Sequence, residues 1–597
     1  MEKQFAMNRI LAIVEKDKCH STKCQHECMK FDPLNRKKPD SGFHLGPDGK
    51  ATIDKEVVTE MHRISANKCP FEAIKIVNLP QRLDETGMTH CFGANSFELF
   101  GIPIIKKNTI TGIIGRNGIG KSTALQILSG NLQQNLGNYQ QLPTEEEIIQ
   151  RYKKTQYADY FTALFSKKIK ISYKPQRIDL LPKQYNATVK ELLAKADERN
   201  IAQKLLKMLQ IEHLQEKQIN QLSGGELQKI AIIAAVAKDF DVLFLDEPAS
   251  FLDITSRIAV AKLIRAYAKD RSALVIEHDL SFLDYISDEL QIVYGEAAAY
   301  GAFAQPQGVK VGLNEYVDGY IASNNIQFRD YKINFAKAHL KKPESKEIIT
   351  SFPDLKKTYP GFSLHINKGV LKKGEVLAVM GANGLGKTTF LKLLAGIEKP
   401  DNGTIAPIKI AYKEQYPQAK DDIVRTYLMN RAGSNFASGW YQQNILHKLG
   451  IEHVLDHQMN HLSGGELQKV YIAATLSTDA DLLALDEPSA FIDVEDRLNV
   501  AEVIKEFTEK KGVATIVVDH DVQFIDYLGD KMLVFEGVPG REGHVYGPCP
   551  KEEGMNRVLK MLEITYRKDK ESKIARINKQ DSQLDKEQKL KGQYYYS

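Results

Sequence analysis

The sequence of 597 residues has no long hydrophobic run. The longest apolar stretch near its recurring motifs, residues 230–237, is far shorter than the about 18 residues that a membrane-spanning helix requires. The N-terminus also lacks the charged segment followed by an apolar one that marks a secretory signal. These absences exclude a transporter that carries its own channel, and we expect a cytoplasmic protein without a membrane partner.

The chain contains few cysteines and carries little net charge. Six cysteines in a chain of this length do not make the dense disulfide framework of a small secreted domain. Four of them, Cys19, Cys24, Cys28 and Cys69, fall within the first 70 residues, which favours a metal site. The net charge is only +5, and 43% hydrophobic with 26% charged residues is ordinary globular composition. The length predicts about three to five domains.

Positive charge is concentrated in two segments. Residues 556–597 contain 11 Lys and Arg against 6 Asp and Glu, and residues 150–174 contain 7 against 1. Two basic surfaces on a nearly neutral body indicate a polyanionic partner such as RNA. A solvated helix face is the alternative interpretation of either segment alone.

Two phosphate-binding loops stand out, because residues 115–122 and 381–388 both fit G-x-x-x-x-G-K-S/T. In such a loop, backbone N–H groups at a helix start surround the phosphates, the lysine reaches the outer phosphates, and the hydroxyl holds Mg²⁺. A β-type run precedes each loop and a helical pattern follows it, as the motif requires. The predicted nucleotide-binding residues here are Gly115, Arg116, Asn117, Gly118, Ile119, Gly120, Lys121, Ser122 and Thr123, and Gly381, Ala382, Asn383, Gly384, Leu385, Gly386, Lys387, Thr388 and Thr389.

The same three motifs follow each phosphate loop. Leu-Ser-Gly-Gly-Glu occurs at 222–226 and 462–466, and an apolar strand then ends in Asp-Glu-Pro at 246–248 and 486–488. A histidine follows one more apolar strand in each unit. Four ordered motifs that occur twice indicate two ATP-hydrolysing units. Apolar strands alternating with helices predict parallel, doubly wound sheets in both.

The first unit contains an insertion. The Ser-Gly-Gly motifs are 240 residues apart, as are the Asp-Glu-Pro motifs, but the phosphate loops are 266 residues apart. The extra residues precede Gln176 and its counterpart Gln415, at about 143–170. Apolar and aromatic residues recur there at intervals of three and four, which predicts a short helix–turn–helix. The irregular stretches after the histidine-bearing strands resemble each other, so we interpret them as duplicated hinges that join and brace the two units.

The motifs, with Leu-Ser-Gly-Gly-Glu-Leu-Gln-Lys in both units, are the signature of ATP-binding cassette proteins. The chain most resembles subfamily E, the ribosome-recycling ATPases also called RNase L inhibitors. The resemblance covers nearly the whole chain: the N-terminal cysteine segment, the insert in the first cassette only, the tandem hinges and residues 562–569. It implies an α/β fold with two tandem cassettes of the P-loop NTPase type and an N-terminal ferredoxin-like α+β domain. The predicted domains are 1–80 (iron–sulfur), 81–295 (first cassette), 296–341 (hinge 1), 342–538 (second cassette) and 539–597 (hinge 2).

The resemblance also implies that two nucleotides lie between the cassettes, which are arranged head to tail. Each phosphate loop then faces the Ser-Gly-Gly turn of the opposite cassette, a small helix start that approaches a γ-phosphate closely. The implied pairs are Lys121 and Ser122 with Ser463, Gly464 and Gly465, and Lys387 and Thr388 with Ser223, Gly224 and Gly225.

Further roles are implied by the resemblance alone. Asp246 and Asp486 hold Mg²⁺ through water. Gln176 and Gln415 contact the metal and the γ-phosphate, so that Ser122, Thr388, Gln176 and Gln415 are the expected Mg²⁺ ligands. Glu247 and Glu487 polarise the attacking water, and His278 and His520 steady it. Phe92 and Phe352 stand where the family has a tyrosine that stacks on adenine, and stacking does not need the hydroxyl.

The N-terminal segment has half of the cysteines that the family has. The family's N-terminal domain resembles a two-cluster ferredoxin and contains eight cysteines. The first run reads Cys19, Cys24, Cys28, Asp32 and the second reads Thr59, His62, Ser65, Cys69. In such ferredoxins the fourth cysteine of each run ligates the other cluster. The four retained cysteines therefore form one complete set, and we expect one [4Fe–4S] cluster with the second lost. A Cys₄ zinc site and four buried thiols without metal are the alternatives.

The implied function is that of a Mg²⁺-dependent ATPase that splits ribosomes into subunits after termination or stalling and stays on the small subunit. Its implied partners are the small subunit and its rRNA, a class-one release factor or Pelota-like factor, and initiation factors. We expect a monomer with pseudo-dimeric cassettes. One alternative is an interaction protein that occupies small subunits or inhibits a nuclease, with ATP only gating its binding. The other is a subfamily F translation factor, which has a long charged helical linker between its cassettes and no cysteine domain.

Overall fold

The computed structural model of the protein describes residues 9–80, 83, 87–268, 270–333, 335, 347–415, 417–418, 420–569 and 575–595. The domain junctions predicted at 80–81 and 341–342 involve residues outside these ranges.

The N-terminal domain is a small α+β unit with its own core. Strand β1 pairs antiparallel with β4, and β2 with β3. Phe43 and Ala73, both fully buried, pack in this core with one face of β4. Asn95 of the next domain joins the two, because its amide donates to Ala12 O (3.0 Å) and accepts from Ile53 N (3.0 Å). The elements are β1 (Ile10–Val14), α1 (Glu27–Lys30), β2 (His44–Leu45), β3 (Ala51–Thr52), α2 (Arg63–Asn67) and β4 (Ile74–Asn78).

Cassette 1 is built on one mixed sheet in the order β5-β6-β12-β11-β7-β10-β9-β8, with β13 beside β11. The central strands from β11 to β8 are parallel. β7 and β9 are buried at every position, as expected for parallel strands covered on both faces. The elements are β5 (Met88–Cys91), β6 (Glu98–Phe100), β7 (Ile110–Ile114), α3 (Lys121–Leu128), α4 (Glu145–Arg151), α5 (Tyr157–Phe165), β8 (Ile171–Lys174), α6 (Leu181–Gln184), α7 (Val189–Ala196), α8 (Ala202–Met208), α9 (Gly224–Ala237), β9 (Val242–Asp246), α10 (Ile254–Ala268), β10 (Ser272–Ile276), α11 (Leu280–Ile286), β11 (Glu289–Glu296), β12 (Tyr300–Phe303) and β13 (Gln307–Gly308).

The insert of cassette 1 is the predicted helix–turn–helix, formed by α4 and α5. Thr144 begins α4 with a capping box. Aromatic residues hold the pair on the cassette: the Tyr157 hydroxyl donates to Ile102 O (2.9 Å) and that of Tyr160 to Leu128 O (2.6 Å). The basic residues Arg151, Lys153, Lys154, Lys167 and Lys168 are all exposed.

Hinge 1 and cassette 2 follow. The hinge consists of α12 (Val309–Asp318) and a hairpin of β14 (Tyr320–Ile321) and β15 (Ile326–Gln327).

Cassette 2 repeats the sheet of cassette 1 in the order β17-β18-β25-β24-β20-β23-β22-β21. Its elements are β16 (Ile348–Phe352), β17 (Leu355–Tyr359), β18 (Phe362–Ile366), β19 (Gly369–Lys372), β20 (Val376–Met380), α13 (Lys387–Leu394), β21 (Ile410–Lys413), α14 (Val424–Ala432), α15 (Gly439–Tyr441), α16 (Gly464–Ser477), β22 (Leu482–Asp486), α17 (Val494–Lys511), β23 (Ala514–Val518), α18 (Val522–Leu528), β24 (Lys531–Val538) and β25 (Glu542–Pro550). The predicted fold class is confirmed.

Hinge 2 repeats the helix and hairpin of hinge 1. It contains α19 (Lys551–Met561), β26 (Tyr566–Lys568), β27 (Ala575–Ile577) and a further helix, α20 (Gln583–Leu590). The hinge boundaries predicted at 296 and 539 are wrong. Strand β12 pairs with β6 and β11, and β25 pairs with β18 and β24, so both strands belong to the cassette sheets. A strand that continues a sheet by hydrogen bonding remains part of that domain, although its sequence lacks a clear period.

One continuous apolar cluster joins the cassettes to hinge 2. It runs from cassette 1 residues such as Leu263 through Phe524 of cassette 2 to Tyr566 of the hinge. A second cluster joins cassette 1 and hinge 1 to Val494 of cassette 2. Of the helices that the structure describes, none has the length and apolar character to cross a membrane.

Candidate functional site

Each phosphate loop connects a buried strand to a helix. The loop after β7 leads into α3, whose N-cap Gly120 has a φ of 87°, a left-handed conformation that glycine adopts without strain. The Lys121 ammonium donates to Gly115 O (2.8 Å) and Arg116 O (2.5 Å), and Lys387 makes the equivalent bonds in cassette 2. Ile119 and Leu385 are buried, so these two predicted binding residues offer only their backbone.

A cavity of about 790 Å³ lies between the cassettes and contains the predicted first nucleotide site. Cassette 1 lines it with Lys121 and most of the phosphate loop, and cassette 2 lines it with the turn that begins at Ser463. Glu466 completes a capping box on Ser463, which leaves the next N–H groups of α16 available to a ligand. The predicted residues in its lining are Phe92, Arg116, Asn117, Gly118, Gly120, Lys121, Ser122, Thr123, Gln176, Asp246, Glu247, His278, Ser463, Gly464 and Gly465.

The second phosphate loop meets cassette 1 directly. The backbone N–H of Asn383 donates to Asp253 Oδ2 of cassette 1 at 2.7 Å. Phe251 of cassette 1 and Phe491 of cassette 2 also meet, their rings edge to face with centroids 5.7 Å apart. Gly225 is required there, because a Cβ on it would lie 2.9 Å from Phe251 O. The cassettes therefore face each other head to tail.

The two candidate water-activating glutamates have matching surroundings. Gln176 Nε2 donates to Glu247 Oε1 at 2.8 Å, and Gln415 Nε2 to Glu487 Oε1 at 2.7 Å. The Nε2 atom of His278 lies 3.6 Å from Glu247 Oε1, and in cassette 2 the matching distance is 3.4 Å. Both glutamates have positive φ angles, 48° and 46°, a strained conformation typical of functional positions.

Burial and neighbouring charges set the protonation of these groups. Burial raises the pKa of Glu487, but hydrogen bonding and charge from His520, with Gln415 and Lys387, outweigh it and bring the pKa to about 2. Burial, with the charges of Lys121 and Arg497, places the pKa of His278 well below its usual value. At neutral pH the glutamate of cassette 2 is therefore ionised, and the histidine of cassette 1 is neutral.

The side chains present fit a Mg²⁺ ion beside each phosphate loop. Both carboxylate oxygens of Asp246 are buried and have no hydrogen-bond partner among the described residues. Burial and the charge of Glu247 raise the pKa of Asp246 to about 6. In cassette 2 the Thr388 hydroxyl donates to Asp486 Oδ2 at 3.3 Å. Carboxylate and hydroxyl oxygens are the ligands that Mg²⁺ prefers, and a buried carboxylate gains most from a cation.

One predicted adenine-stacking residue is wrong. Phe92 is 57% exposed and lines the first cavity, but Phe352 is only 2% exposed and packs in the cassette 2 core against Phe390. Phe352 is the last residue of β16, which lies outside the sheet that carries the strand pair β17–β18. The counterpart of Phe92 is Tyr359, which ends β17 as Phe92 follows β5. Tyr359 stacks with Phe362 at 6.5 Å and hydrogen-bonds Glu398.

The four N-terminal cysteines line one small cavity. Burial raises the pKa of Cys28 to about 12, and the charges of Cys69, Cys19 and Cys24 add to this rise. None of the six cysteines forms a disulfide bond. In the part of the chain that the structure describes, no group of three or more His, Cys, Asp and Glu side chains is arranged to hold a single metal ion.

The four substituted cysteine positions form a polar cluster filled by protein atoms. Asp32, His62 and Ser65 are fully buried. The Asp32 carboxylate accepts hydrogen bonds from three backbone N–H groups, those of residues 34, 35 and 43, and lies 3.8 Å from His62 Nε2. His62 Nδ1 in turn accepts from Thr59 N at 2.9 Å. This set has no thiolate for iron, and its carboxylate is already satisfied.

The sequence motifs did not identify several side chains that make contacts across the cassette interface. Asp253 contacts the second phosphate loop, and its counterpart Asp493 lines the first cavity. Arg497 bonds Asp521 at 2.7 Å, and its Nη1 donates across the interface to His278 O at 3.4 Å. Asp253 and Asp493 are 240 residues apart, the spacing of the Asp-Glu-Pro motifs, so the repeat offset was the signal that identifies them.

Two family models match the chain. The ABC transporter family matches residues 104–250 and 364–490, and the family described as a possible Fer4-like domain in RNase L inhibitor, RLI, matches residues 11–38.

Similar proteins match over nearly their whole length. The chain is 42% identical over 589 residues to an uncharacterized ABC transporter ATP-binding protein of Methanocaldococcus jannaschii, which covers 98% of this chain and 97% of that protein. It is 38% identical over 600 residues to translation initiation factor RLI1 of Saccharomyces cerevisiae, covering 99% and 98%.

Solved structures agree. A chain of a model of ribosome-bound archaeal Pelota and ABCE1 superposes with a TM-score of 0.94 at 41% identity, over 99% of this chain and all of that one. A chain from the complex of archaeal ribosomal stalk protein aP1 and archaeal ribosome recycling factor aABCE1 gives a TM-score of 0.81 at 43% identity, over 86% of this chain and all of that one.

Proposed function

Because this chain belongs to the ABCE1/RNase L inhibitor family of ATP-binding cassette proteins, we propose that it is an ATP-driven ribosome recycling factor. It splits ribosomes into subunits after termination or stalling and then stays on the small subunit. The observation that supports this proposal is the structural superposition with a ribosome-bound relative. It extends over the N-terminal domain, both cassettes and both hinges. The alternative of a subfamily F factor lacks support, because the chain matches the N-terminal family domain of RNase L inhibitor.

The cassettes hydrolyse ATP, and we propose that the reaction depends on Mg²⁺. Lys121 and Lys387 bind the outer phosphates. Asp246 and Asp486, with the hydroxyls of Ser122 and Thr388 and the amides of Gln176 and Gln415, hold the metal, which neutralises phosphate charge when bound. Glu247 and Glu487 orient and polarise the attacking water, and His278 and His520 fix that water and the γ-phosphate. The Ser223 and Ser463 turns complete the opposite sites.

Adenine contacts complete the proposal for the nucleotide. Phe92 stacks on the base in the first site, because it is exposed at the cavity rim. In the second site Tyr359 takes this role in place of Phe352. Aromatic stacking suits any purine face, so the interaction contributes affinity more than selectivity.

We propose that the N-terminal domain holds one [4Fe–4S] cluster, bound by Cys19, Cys24, Cys28 and Cys69. The four thiols line one cavity, and the family model that matches residues 11–38 is described as a possible Fer4-like domain. A cluster takes one cysteine thiolate on each of its four irons, and a Cys₄ zinc site is the alternative. The second cluster is absent, because Asp32, Thr59, His62 and Ser65 offer no thiolate.

The proposed partners follow from these parts. The small ribosomal subunit and its rRNA meet the exposed basic residues of the insert and the hinges. ATP closes the cassettes around two nucleotides, and the N-terminal domain then swings on the closed pair. This motion pushes a bound Pelota-like factor or class-one release factor into the subunit interface, in agreement with the relative that is described together with Pelota on the ribosome. Hydrolysis then reopens the cassettes. Initiation factors are further proposed partners, since one relative is described as a translation initiation factor. The proposed place of action is therefore the cytoplasm.

A splitting assay tests the proposal. Purified ribosomes from the source organism are incubated with the protein, a Pelota-like factor and ATP, and subunits are resolved on sucrose gradients. We expect free subunits only when all components are present and none with ADP. Intact ribosomes with stably bound protein would instead indicate the ATP-gated interaction protein.

A further inference from the structure

A chain of three charged side chains links hinge 1 to the first phosphate loop. Glu495, in the first turn of α17 in cassette 2, accepts a hydrogen bond from Arg329 Nη1 of hinge 1 at 2.7 Å. Its other carboxylate oxygen lies 3.5 Å from Nε of Arg116 in the phosphate loop of cassette 1. The side chains of Glu495 and Arg329 are only 2% and 5% exposed, whereas that of Arg116 is 47% exposed.

Hinge 1 fixes Arg329. Its Nη2 donates to Tyr316 O and Val317 O, both at 2.6 Å, and its Nε donates to Tyr331 O at 2.8 Å. The guanidinium also packs 5.3–5.6 Å from the rings of Tyr316, Phe328 and Tyr331. With these donors occupied, Arg329 presents Nη1 to Glu495 and holds that carboxylate in place. Arg116 is therefore the adjustable member of the chain.

The other half of the molecule has no such link among its described residues. By the repeat offsets, the counterparts of Arg116 and Glu495 are Ala382 and Thr255. Arg567 of hinge 2 corresponds to Arg329, but it bonds Asn578 Oδ1 (2.9 Å) and Ile577 O (3.3 Å) within its own hinge. The charged chain thus distinguishes the first nucleotide site from the second.

The Arg116–Glu495 pair spans the interface between the cassettes, and Glu495 is desolvated. Such a pair gains strength when closure excludes more water, since Coulomb attraction grows as the effective dielectric constant falls. We propose that Arg116, Glu495 and Arg329 form a latch that stabilises the ATP-closed state of the first site and couples it to hinge 1. These are positioning residues, which act on closure and not on the reacting atoms. The inference rests on the proposed closing of the cassettes around ATP.

The test measures how long ATP stays trapped at each site. Glu247→Gln slows hydrolysis at the first site and Glu487→Gln at the second, so each variant retains labelled ATP mainly at one known site. We expect Arg116→Ala to speed release of trapped ATP about tenfold in the Glu247→Gln protein and to leave it unchanged in the Glu487→Gln protein. Ala382, the natural counterpart, indicates that the loop folds with alanine. Arg177→Ala, an exposed arginine paired within cassette 1, is the matched control.

Three further readouts separate a latch from a general packing effect. Arg116→Lys keeps the charge and should restore part of the trapping. Glu495→Gln should speed release alone but add nothing to Arg116→Ala. Raising the salt concentration should speed release in the Arg116 protein and have little effect once alanine replaces it.

Equal effects on both sites, or fully additive effects of the Arg116 and Glu495 changes, would overturn the proposal. If neither parent variant traps ATP, the proposed closure itself fails and the latch fails with it. That result is distinguishable, because it appears before Arg116 is changed.

Discussion

At the scale of single residues, the two glutamates after β9 and β22 are the most informative. Each is held by a glutamine and faces a histidine in the same geometry, although the two cassettes differ in much of their sequence. The positive φ of both residues costs free energy that ordinary packing does not require. This agreement indicates that both sites are built for hydrolysis.

Replacing Glu247 and Glu487 together with Gln should abolish turnover and preserve ATP binding. Gln cannot accept the proton of the attacking water, so hydrolysis should fall by at least about 100-fold. Lys121, Lys387 and both aspartates remain to bind phosphate and metal. ATPase assays and ATP-dependent sedimentation with small subunits measure the two effects. Loss of ATP-dependent subunit binding in the double variant would contradict the closed-state model.

Tyr359, and not Phe352, should support adenine in the second site. Tyr359→Ala removes a stacking ring, which is worth about 1–3 kcal/mol, or about a 5- to 150-fold weaker Kd for ATP there. Phe352→Leu is the control, since it disturbs only the core. Nucleotide titration of a Lys121→Ala protein isolates the second site. An unchanged Kd for Tyr359→Ala would show that another residue carries the base.

At the scale of elements, the insert of α4 and α5 separates two kinds of residue. Its tyrosines and phenylalanines attach it to cassette 1, and its basic residues point to solvent. Exposed polar side chains also occur on surfaces that bind nothing, so the exposure of these residues does not by itself identify a partner. The concentration of positive charge on this one surface is what favours RNA as the partner.

Reversing Arg151, Lys153, Lys154, Lys167 and Lys168 to Glu should weaken binding to small subunits. Each lost phosphate contact should reduce the slope of log K against log salt by about 0.9. ATPase activity without ribosomes should stay within about twofold, because the insert lies outside the nucleotide motifs. Lys190→Glu with Lys409→Glu, both exposed, serves as the control. A salt slope that does not change would favour a merely solvated face.

The cysteine cavity predicts a definite metal content. Anaerobically purified protein should contain about four irons per chain, where a two-cluster ferredoxin contains about eight. Cys69→Ser should lose this iron. Cys91→Ser and Cys549→Ser should retain it, since those thiols are buried in the cassettes and donate to Gly137 O and Met532 O. About one zinc and no iron per chain would identify a Cys₄ zinc site. Full activity without any bound metal would show that the four cysteines only pack in the core of the domain.

At the scale of the whole molecule, each hinge reaches into the cassette that it does not follow. Hinge 1 binds cassette 2 through Arg329. Hinge 2 binds cassette 1 through Arg576, whose side chain is 1% exposed and lies 3.4 Å from Asp284. Arg576 also donates to Asn314 Oδ1 of hinge 1 at 2.9 Å. The hinges therefore form a continuous brace across the back of both cassettes.

Arg576→Met should weaken this brace. Removing one partner of a buried ion pair costs about 3–5 kcal/mol, here by taking from Asp284 the cation whose charge favours its ionised form most. Thermal unfolding should shift to lower temperature, and fluorescence energy transfer between labelled cassettes should report a broader distance distribution. Arg567→Met is a matched control, because Arg567 is paired with Arg576 across the same hairpin. Its hydrogen bonds to Ile577 O and Asn578 Oδ1 stay within the hinge, and its charge acts on Asp284 less than that of Arg576 does. Equal behaviour of the two variants would contradict the brace.

The sequence by itself determined the parts whose function is local. A phosphate loop, a Ser-Gly-Gly turn and an Asp-Glu-Pro strand end are contiguous, so their residue types and order specify their chemistry wherever the cassette lies. The repeat offsets located the insert for the same reason. The alternation of strands and helices was sufficient for the fold class, because each period reports which face of an element is buried.

Only the tertiary structure decided which distant residues meet. Phe352 and Tyr359 are both aromatic residues ahead of a phosphate loop, and only sheet packing buries one and leaves the other beside the loop. Strands β12 and β25 joined the cassette sheets through hydrogen bonds that no local period reveals. The chain of Arg116, Glu495 and Arg329 brings together three domains. Burial and electrostatic pairing depend on how the domains pack against one another, and sequence spacing does not encode that packing.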